Sequence, residues 1–243
     1  MEIEVERLQH LIDTSSHIVF FGGAGVSTES GIKDFRSKDG LYHLQSKYGR
    51  PYEEMLSHTY FMLHTKTFYD FYREFMINLD AKPNAAHLFL AKLEKVKDVT
   101  VITQNIDGLH QLAGSKNVLE LHGSIHRNYC MRCNEFYGLD TIINSKETPI
   151  CPHCGGIIKP DVVLYEEGLD GAVLNAAIRA LDRADLLIVA GTSLSVYPAS
   201  GLIAYYGGKN IVVINKEHLS IRENVTLEIN EPVGKVFNQL HIL

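Results

Sequence analysis

The chain reads as an α/β protein: a Rossmann-like parallel sheet with helices on both faces, carrying a small zinc-ribbon and helical module. Three observations predict this. Short apolar runs at 17–21, 99–103, 117–121, 185–190 and 211–214 alternate with stretches of helical spacing, the order that builds a parallel sheet through right-handed crossovers. Several of these runs end in glycine, hydroxyl or amide residues, which stabilise a strand poorly but suit the carboxyl edge of an open sheet, where ligands bind. Cys130, Cys133, Cys151 and Cys154, the only four cysteines, form two Cys-x2-Cys pairs with 17 residues between them, inside the ~15–20-residue gap of a zinc ribbon.

Taken in order, Ile3, Leu8, Leu11 and Ile12 predict an opening helix over 3–13. A buried strand at 17–21 runs into the glycine turn Gly22–Ser27. Residues 34–57 have mixed polarity and no clean period, which in a compact domain points to a functional lid more than to a connection. Aromatic-rich helices are expected at 58–78 and 84–95. The strand at 99–103 leads into a helical turn at 107–113, a strand at 117–121 and the zinc module at 124–158. Residues 161–165 read as a strand and 170–182 as a helix. Strands at 185–190 and 211–214 flank a helix that starts after Pro198. A last strand at 225–229 and a last helix at 232–240 close the chain. The sheet domain is assigned to 1–34, 79–123 and 159–243, and the small domain to 35–78 and 124–158.

The 243 residues, 45% hydrophobic and 21% charged, suffice for a sizeable core without disulfides. A net charge of −6 argues against a nucleic-acid backbone as partner. No apolar run reaches the ~20 residues of a membrane span, and the acidic start Glu2, Glu4, Glu6 is no secretory signal. A cytoplasmic monomer is the expectation. In that setting the cysteine spacing favours one structural zinc over two disulfides or a redox pair, because four sulfurs close a tetrahedral shell.

The glycine turn Gly23, Ala24, Gly25 is a phosphate-cradle candidate, with a helix expected to follow and add its dipole. It departs from the dinucleotide fingerprint: Thr28 stands where the third glycine would be, and no strand ends in a carboxylate about 20 residues on. A hydride-transferring dehydrogenase is therefore disfavoured. Gln104, Asn105 and Asp107 follow the strand at 99–103; Gly191, Thr192 and Ser193 follow that at 185–190; Asn215 follows that at 211–214. Each alone could be a turn or a helix cap, but together they favour a ligand crevice. His122 follows the strand at 117–121 and emerges at the same edge, where an imidazole can serve as general base near neutral pH. Of the other histidines among the 12, His17, His43, His58, His64 and His110 read as ordinary core or surface residues.

In combination these stretches resemble the sirtuin family, the NAD-dependent protein lysine deacylases. The matching residues are Gly23–Ser27, Ser30–Arg36, Thr103–Asp107, Leu121–Gly123, the two cysteine pairs and Gly191–Ala199, in the family's order from about residue 8 to 240. The resemblance implies NAD as co-substrate and acylated-lysine proteins or peptides as partners. It implies that the acyl oxygen displaces nicotinamide at the ribose carbon, and that a ribose hydroxyl deprotonated by His122 resolves the imidate. The products are nicotinamide, O-acyl-ADP-ribose and free lysine. Asp107 and the Ile106 backbone would hold the carboxamide, Phe35 would shield the ribose carbon, and Gln104 and Asn105 would orient ribose hydroxyls. Gly23, Ala24, Gly25, Thr28 and Arg36 would sit at the phosphates and nearby ribose. Gly191, Thr192, Ser193 and Asn215 would hold the adenosine half, with a backbone contact near Val233. Val163, Leu164, Tyr165 and Glu166 would take the peptide as an added strand.

The sequence departs from the family's pattern at a few positions. Leu164, Tyr165 and Glu166 stand where two phenylalanines and a glycine are usual, and Lys33 replaces a proline; these bear on peptide preference, with a carboxylate at 166 pointing to basic flanks. A branch that removes acidic acyl groups carries Tyr-x-x-Arg, whereas here Tyr72 is followed by Phe75. A carboxylate-tipped acyl group would then be buried without a cation, so acetyl and other neutral groups are expected over succinyl. The alternatives are a protein mono-ADP-ribosyltransferase using the same pocket, and a non-enzymatic NAD-binding or zinc-scaffold module.

Overall fold

The structure, a computed structural model, describes residues 2–35, 40, 48–219, 221 and 224–242. Two of the expectations, Arg36 at the phosphates and His43 as an ordinary residue, lie outside these described residues.

The chain opens with helix α1 (Glu2–Thr14), whose Val5, Leu8 and Ile12 are buried, and strand β1 (His17–Gly22) follows. Further on come helices α2 (Tyr52–Met55), α3 (His58–Leu63), α4 (Thr65–Phe75) and α5 (Ala85–Leu93). The helix expected over 58–78 is thus two helices, broken at His64, whose backbone leaves the helical region. Strand β2 (Asp98–Thr103), helix α6 (Leu109–Ala113) and strand β3 (Val118–Glu120) complete the first half. Next come β4 (Gly123–Cys130), β5 (Phe136–Tyr137), α7 (Leu139–Asn144) and β6 (Ile158–Val162), then α8 (Gly171–Arg183), β7 (Leu186–Ala190), β8 (Asn210–Ile214), β9 (Leu227–Ile229) and α9 (Val233–Phe237).

Six strands form one parallel sheet in the order β3-β2-β1-β7-β8-β9. Side chains alternate across it with period two. Ile18 and Phe20 join α1, α5 and α9 in one core, while Val19 and Phe21 join α8 and the segment Ala199–Tyr205 in another. That segment, expected as an α-helix after Pro198, is a 3-10 helix. A third core packs α2, α3, α4 and α7 against the antiparallel sheet β5-β4-β6.

The strand expected at 161–165 is corrected by this sheet. Pairing occupies Ile158–Val162, antiparallel to β4, and not a strand of the parallel sheet. Pro160 is tolerated because β6 lies at the sheet's edge. Residues 163–165 run on past the ladder, in an isolated bridge between Tyr165 and Ser57. Gly123, where β4 begins, has φ +76, and a Cβ there would lie 1.9 Å from the Asp161 carbonyl oxygen. Only glycine fits this crossing.

Candidate active site

The register of the parallel sheet decides where the polar strand ends go. Gly22 pairs with Thr103 and with Ala190, Ala190 with Ile214, and Thr103 with Glu120. The residues just beyond them, Gly23, Gln104, Gly191, Asn215 and the Leu121–His122 pair, therefore emerge along one edge. Strand order reverses between β1 and β7, which is where open α/β sheets form a ligand crevice. A cleft of about 580 Å³ opens there. Its lining includes Gly23, Ala24, Gly25, Thr28, Phe35, Gln104, Asn105, Ile106, Asp107 and His122. It also includes Val163–Glu166, Gly191, Thr192, Ser193, Asn215 and Val233. Every cofactor and peptide residue read from the sequence is thus brought to one cleft, apart from Arg36, which lies outside the described residues; the four cysteines lie elsewhere.

The glycine turn differs from the sequence expectation. No α-helix follows it: two short 3-10 turns, Ala24–Val26 and Thr28–Ser30, take its place, so no long helix dipole backs an anion here. Part of its glycine content serves packing. A Cβ on Gly25 would lie 2.7 Å from the Gly191 Cα, and Gly191 itself has φ +56. The Gly25 N–H donates to the Gly191 carbonyl at 2.8 Å, so the loops after β1 and β7 meet backbone to backbone.

His122 has its Nδ1 2.9 Å from the Gln104 carbonyl. A carbonyl only accepts, so Nδ1 carries the proton and Nε2 keeps its lone pair. Burial pushes this imidazole below its ordinary value, with the Gln104 bond pulling partly back. The neutral form, the one able to accept a proton, is thereby favoured.

Asp107 is held from two sides: its Oδ1 accepts the Leu109 N–H at 2.9 Å and its Oδ2 accepts the Ser27 hydroxyl at 2.7 Å. Burial raises its carboxyl above the ordinary range, and these two bonds oppose the rise. Ser27 Oγ also accepts from Asn105 Nδ2 at 3.0 Å, so one buried hydroxyl ties Asn105 to Asp107. Sequence reasoning placed Ser27 in the motif but gave it no role; the only signal was a lone hydroxyl ending a glycine turn. Gln104 Nε2 donates to Thr192 Oγ at 3.0 Å, bridging two strand ends. Two further bonds fix the turn after β2: Ile125 N–H to the Ile106 carbonyl at 3.0 Å, and His126 Nε2 to the Asp107 carbonyl at 3.2 Å.

The stretch 163–166 is held on one side only. The Val163 N–H donates to the His122 carbonyl, Tyr165 N–H to Leu56, and His58 N–H to Tyr165, each at 3.0 Å. Among the described residues the Val163 carbonyl and the Glu166 N–H and carbonyl are unpaired, an open row for an added strand. Glu166 has φ +76, which explains why glycine suits this position. The expectation that histidines outside the site are ordinary is corrected at two positions. Among the described residues neither ring nitrogen of His110, 1% exposed, finds a partner, nor does the buried Nδ1 of His17; the His110 ring lies 4.6 Å from that of His87.

The four cysteine sulfurs lie within 4.8 Å of one another, with Cys130–Cys154 at 3.3 Å and Cys133–Cys151 at 3.6 Å. Zn–S bonds of ~2.3 Å in a tetrahedron place sulfurs about 3.8 Å apart, so the donor set fits one zinc. No helix among the described residues is long and apolar enough to cross a membrane.

Comparison with known proteins gives a consistent picture. A model of the Sir2 family matches residues 23–198. The chain is 56% identical over 235 residues to an NAD-dependent protein deacetylase of Clostridium acetobutylicum, covering 96% of each protein. It is 57% identical over 233 residues to one of Clostridium tetani, covering 95% of this chain and 94% of that one. Among solved structures it is similar to a Sir2 variant with a deacetylated p53 peptide and 3'-O-acetyl ADP ribose. There the TM-score is 0.87 and the identity 38%, over 97% of this chain and 96% of the other. It is also similar to Sir2Tm bound to a propionylated peptide, with TM-score 0.84 and 38% identity over 97% and 96%.

Proposed function

The chain belongs to the Sir2 family, and from that premise we propose how its own residues carry out NAD-dependent deacetylation of protein lysines. The observation that carries the reading is the meeting, in one cleft, of a neutral His122, the Asn105–Ser27–Asp107 chain and the open edge at Val163–Glu166.

Bound here, NAD supplies an electrophilic ribose carbon and nicotinamide as leaving group. Asp107 and the Ile106 backbone hold the carboxamide, with Ser27 and Leu109 keeping the carboxylate aimed. Gln104 and Asn105 orient the ribose hydroxyls beside His122. His122 Nε2 takes a hydroxyl proton, while Nδ1 stays anchored on the Gln104 carbonyl. Phe35, packed against the small-sheet core and lining the cleft, keeps water from the ribose carbon. Gly23, Ala24, Gly25, Thr28 and Arg36 serve the phosphates and nearby ribose; Gly191, Thr192, Ser193, Asn215 and Val233 serve the adenosine half. The four cysteines hold a structural zinc that fixes the small sheet.

The acyl-lysine enters along the docking edge, in the part of the cleft walled by Leu56, Phe75, Met76, Ile125 and Leu164. No arginine or lysine stands at position 75 to meet a carboxylate, and Tyr72 is fully buried, stacked on Phe68, and not in the wall. Acetyl and other neutral groups are therefore preferred to succinyl.

The test is nicotinamide release and mass spectrometry on acetyl, propionyl, butyryl and succinyl peptides with NAD. Lost acyl mass with stoichiometric nicotinamide is expected. Gain of ADP-ribose on the protein substrate in place of acyl loss would favour a mono-ADP-ribosyltransferase. Comparable turnover of succinyl and acetyl peptides would overturn the acyl preference.

A further inference from the structure

The stretch read as the peptide-docking edge carries one charge that no cation pairs with among the described residues. Two carboxylates follow Tyr165. Glu167 is matched: Oε1 lies 2.8 Å from His58 Nδ1, Oε2 lies 3.1 Å from Lys159 Nζ, and Oε2 also accepts the Leu164 N–H at 2.9 Å. Glu166 is different. Its Oε2 accepts both the Thr59 N–H at 2.9 Å and the Thr59 hydroxyl at 2.7 Å, while no cation pairs with it among the described residues. His58, whose own partner is Glu167, is not hydrogen-bonded to it.

Three features argue against an idle surface residue. The backbone of Glu166 sits at φ +76, a conformation that disfavours side chains, so the site bears strain to keep one. The Thr59 bonds hold the carboxylate below its usual range and so ionised. They use Oε2 only, so Oε1 has no partner among the described residues, and Glu166 itself is part of the cleft lining.

We propose that Glu166, held in place by Thr59, is a specificity-determining residue that selects acyl-lysine peptides with an arginine or lysine flanking the modified lysine. This rests on the reading of Val163–Glu166 as the peptide edge. A strand added there brings its flanking side chains along the row where the carboxylate is fixed. An arginine can meet Oε1 without displacing Thr59, and an acidic flank meets a like charge that no cation among the described residues pairs with.

The experiment compares kcat/KM for three acetyl-lysine peptides that differ only in the flanking residue, Arg, Gln or Glu. Wild type is set beside Glu166→Gln and Thr59→Val at low and high salt. The readout is the Arg-to-Glu ratio within one enzyme, so any general loss of folding or turnover cancels. Wild type is expected to favour Arg over Glu by roughly five-fold, as an exposed but pre-aimed charge allows. That ratio should fall to near one in Glu166→Gln, fall partway in Thr59→Val, and shrink in high salt. A wild-type ratio near one, or one that survives Glu166→Gln, would overturn the proposal. Absence of NAD-dependent deacetylation on all three peptides would instead count against the activity itself.

Discussion

Ser27→Ala tests the chain of contacts beneath the cleft more sharply than removal of the base. Ser27 is 1% exposed, and its single oxygen joins Asn105 to Asp107. Alanine fits the space but leaves an amide and one carboxylate oxygen without their partner. A hydrogen bond to a charged group contributes about 1.5–3 kcal/mol and a neutral one about 0.5–1.5 kcal/mol. Together they set a loss of about 2–4 kcal/mol, or roughly 30- to 1000-fold at 1.4 kcal/mol per decade. The loss should appear in kcat/KM for NAD, measured by nicotinamide release at saturating acetyl-lysine peptide. The pH profile should move too. The Ser27 bond is one of those that lower the Asp107 carboxyl against burial. Without it the folded value rises further, and activity that needs the carboxylate is lost at a higher pH as the solution is acidified. Thermal unfolding reports whether the variant is folded. A folded Ser27→Ala enzyme within about three-fold of wild type, with an unmoved acid limb, would refute the argument.

Other predictions follow from neighbouring features. Burial depresses His122 below its ordinary value, so the neutral base persists to more acidic pH than in a free imidazole; His122→Ala should abolish acyl loss while calorimetry still detects NAD binding. His87 and His110 are pushed down to about 4 and about 3 by burial. Groups with depressed folded values give stability that is full above pH 6.5 and lost as pH falls towards those values. At 1.36 kcal/mol per pH unit the His87 shift alone corresponds to about 3 kcal/mol. The unfolding temperature should therefore drop between pH 6.5 and 4.5, and His110→Leu should flatten that drop. One zinc per chain is expected by metal analysis, and Cys151→Ser should lose it together with the cooperative melt of the small sheet, since metal and fold are linked there.

The sheet was legible because its strands are short apolar runs whose period leaves no helical reading: β1, β2, β7 and β8 lie within one residue of their expected bounds. The cleft was legible for a related reason. Polar residues at strand ends have little structural use, so Gln104, Asn105, His122 and Asn215 announced themselves. What depended on distant partners stayed hidden. Ser27 acts through residues 78 and 80 positions away, and Glu166 through Thr59, 107 positions away. The strand at 158–162 was misplaced because its bounds are set by antiparallel pairing with β4, which local sequence does not report. His110 passed as ordinary because local sequence does not report whether a buried ring finds a partner.

The Gly123 crossing has a mechanical consequence. His122 stands just before it on the large sheet's side, and Cys130 ends the same strand seven residues on. At ~3.3 Å per residue about 23 Å of chain separates the glycine from that cysteine, and a register shift against β6 between Gly123 and Asn128 interrupts it. The base is thus set where the two strands cross, by the glycine contact and the Val163 N–H bond to the His122 carbonyl, and not by the far end of the strand.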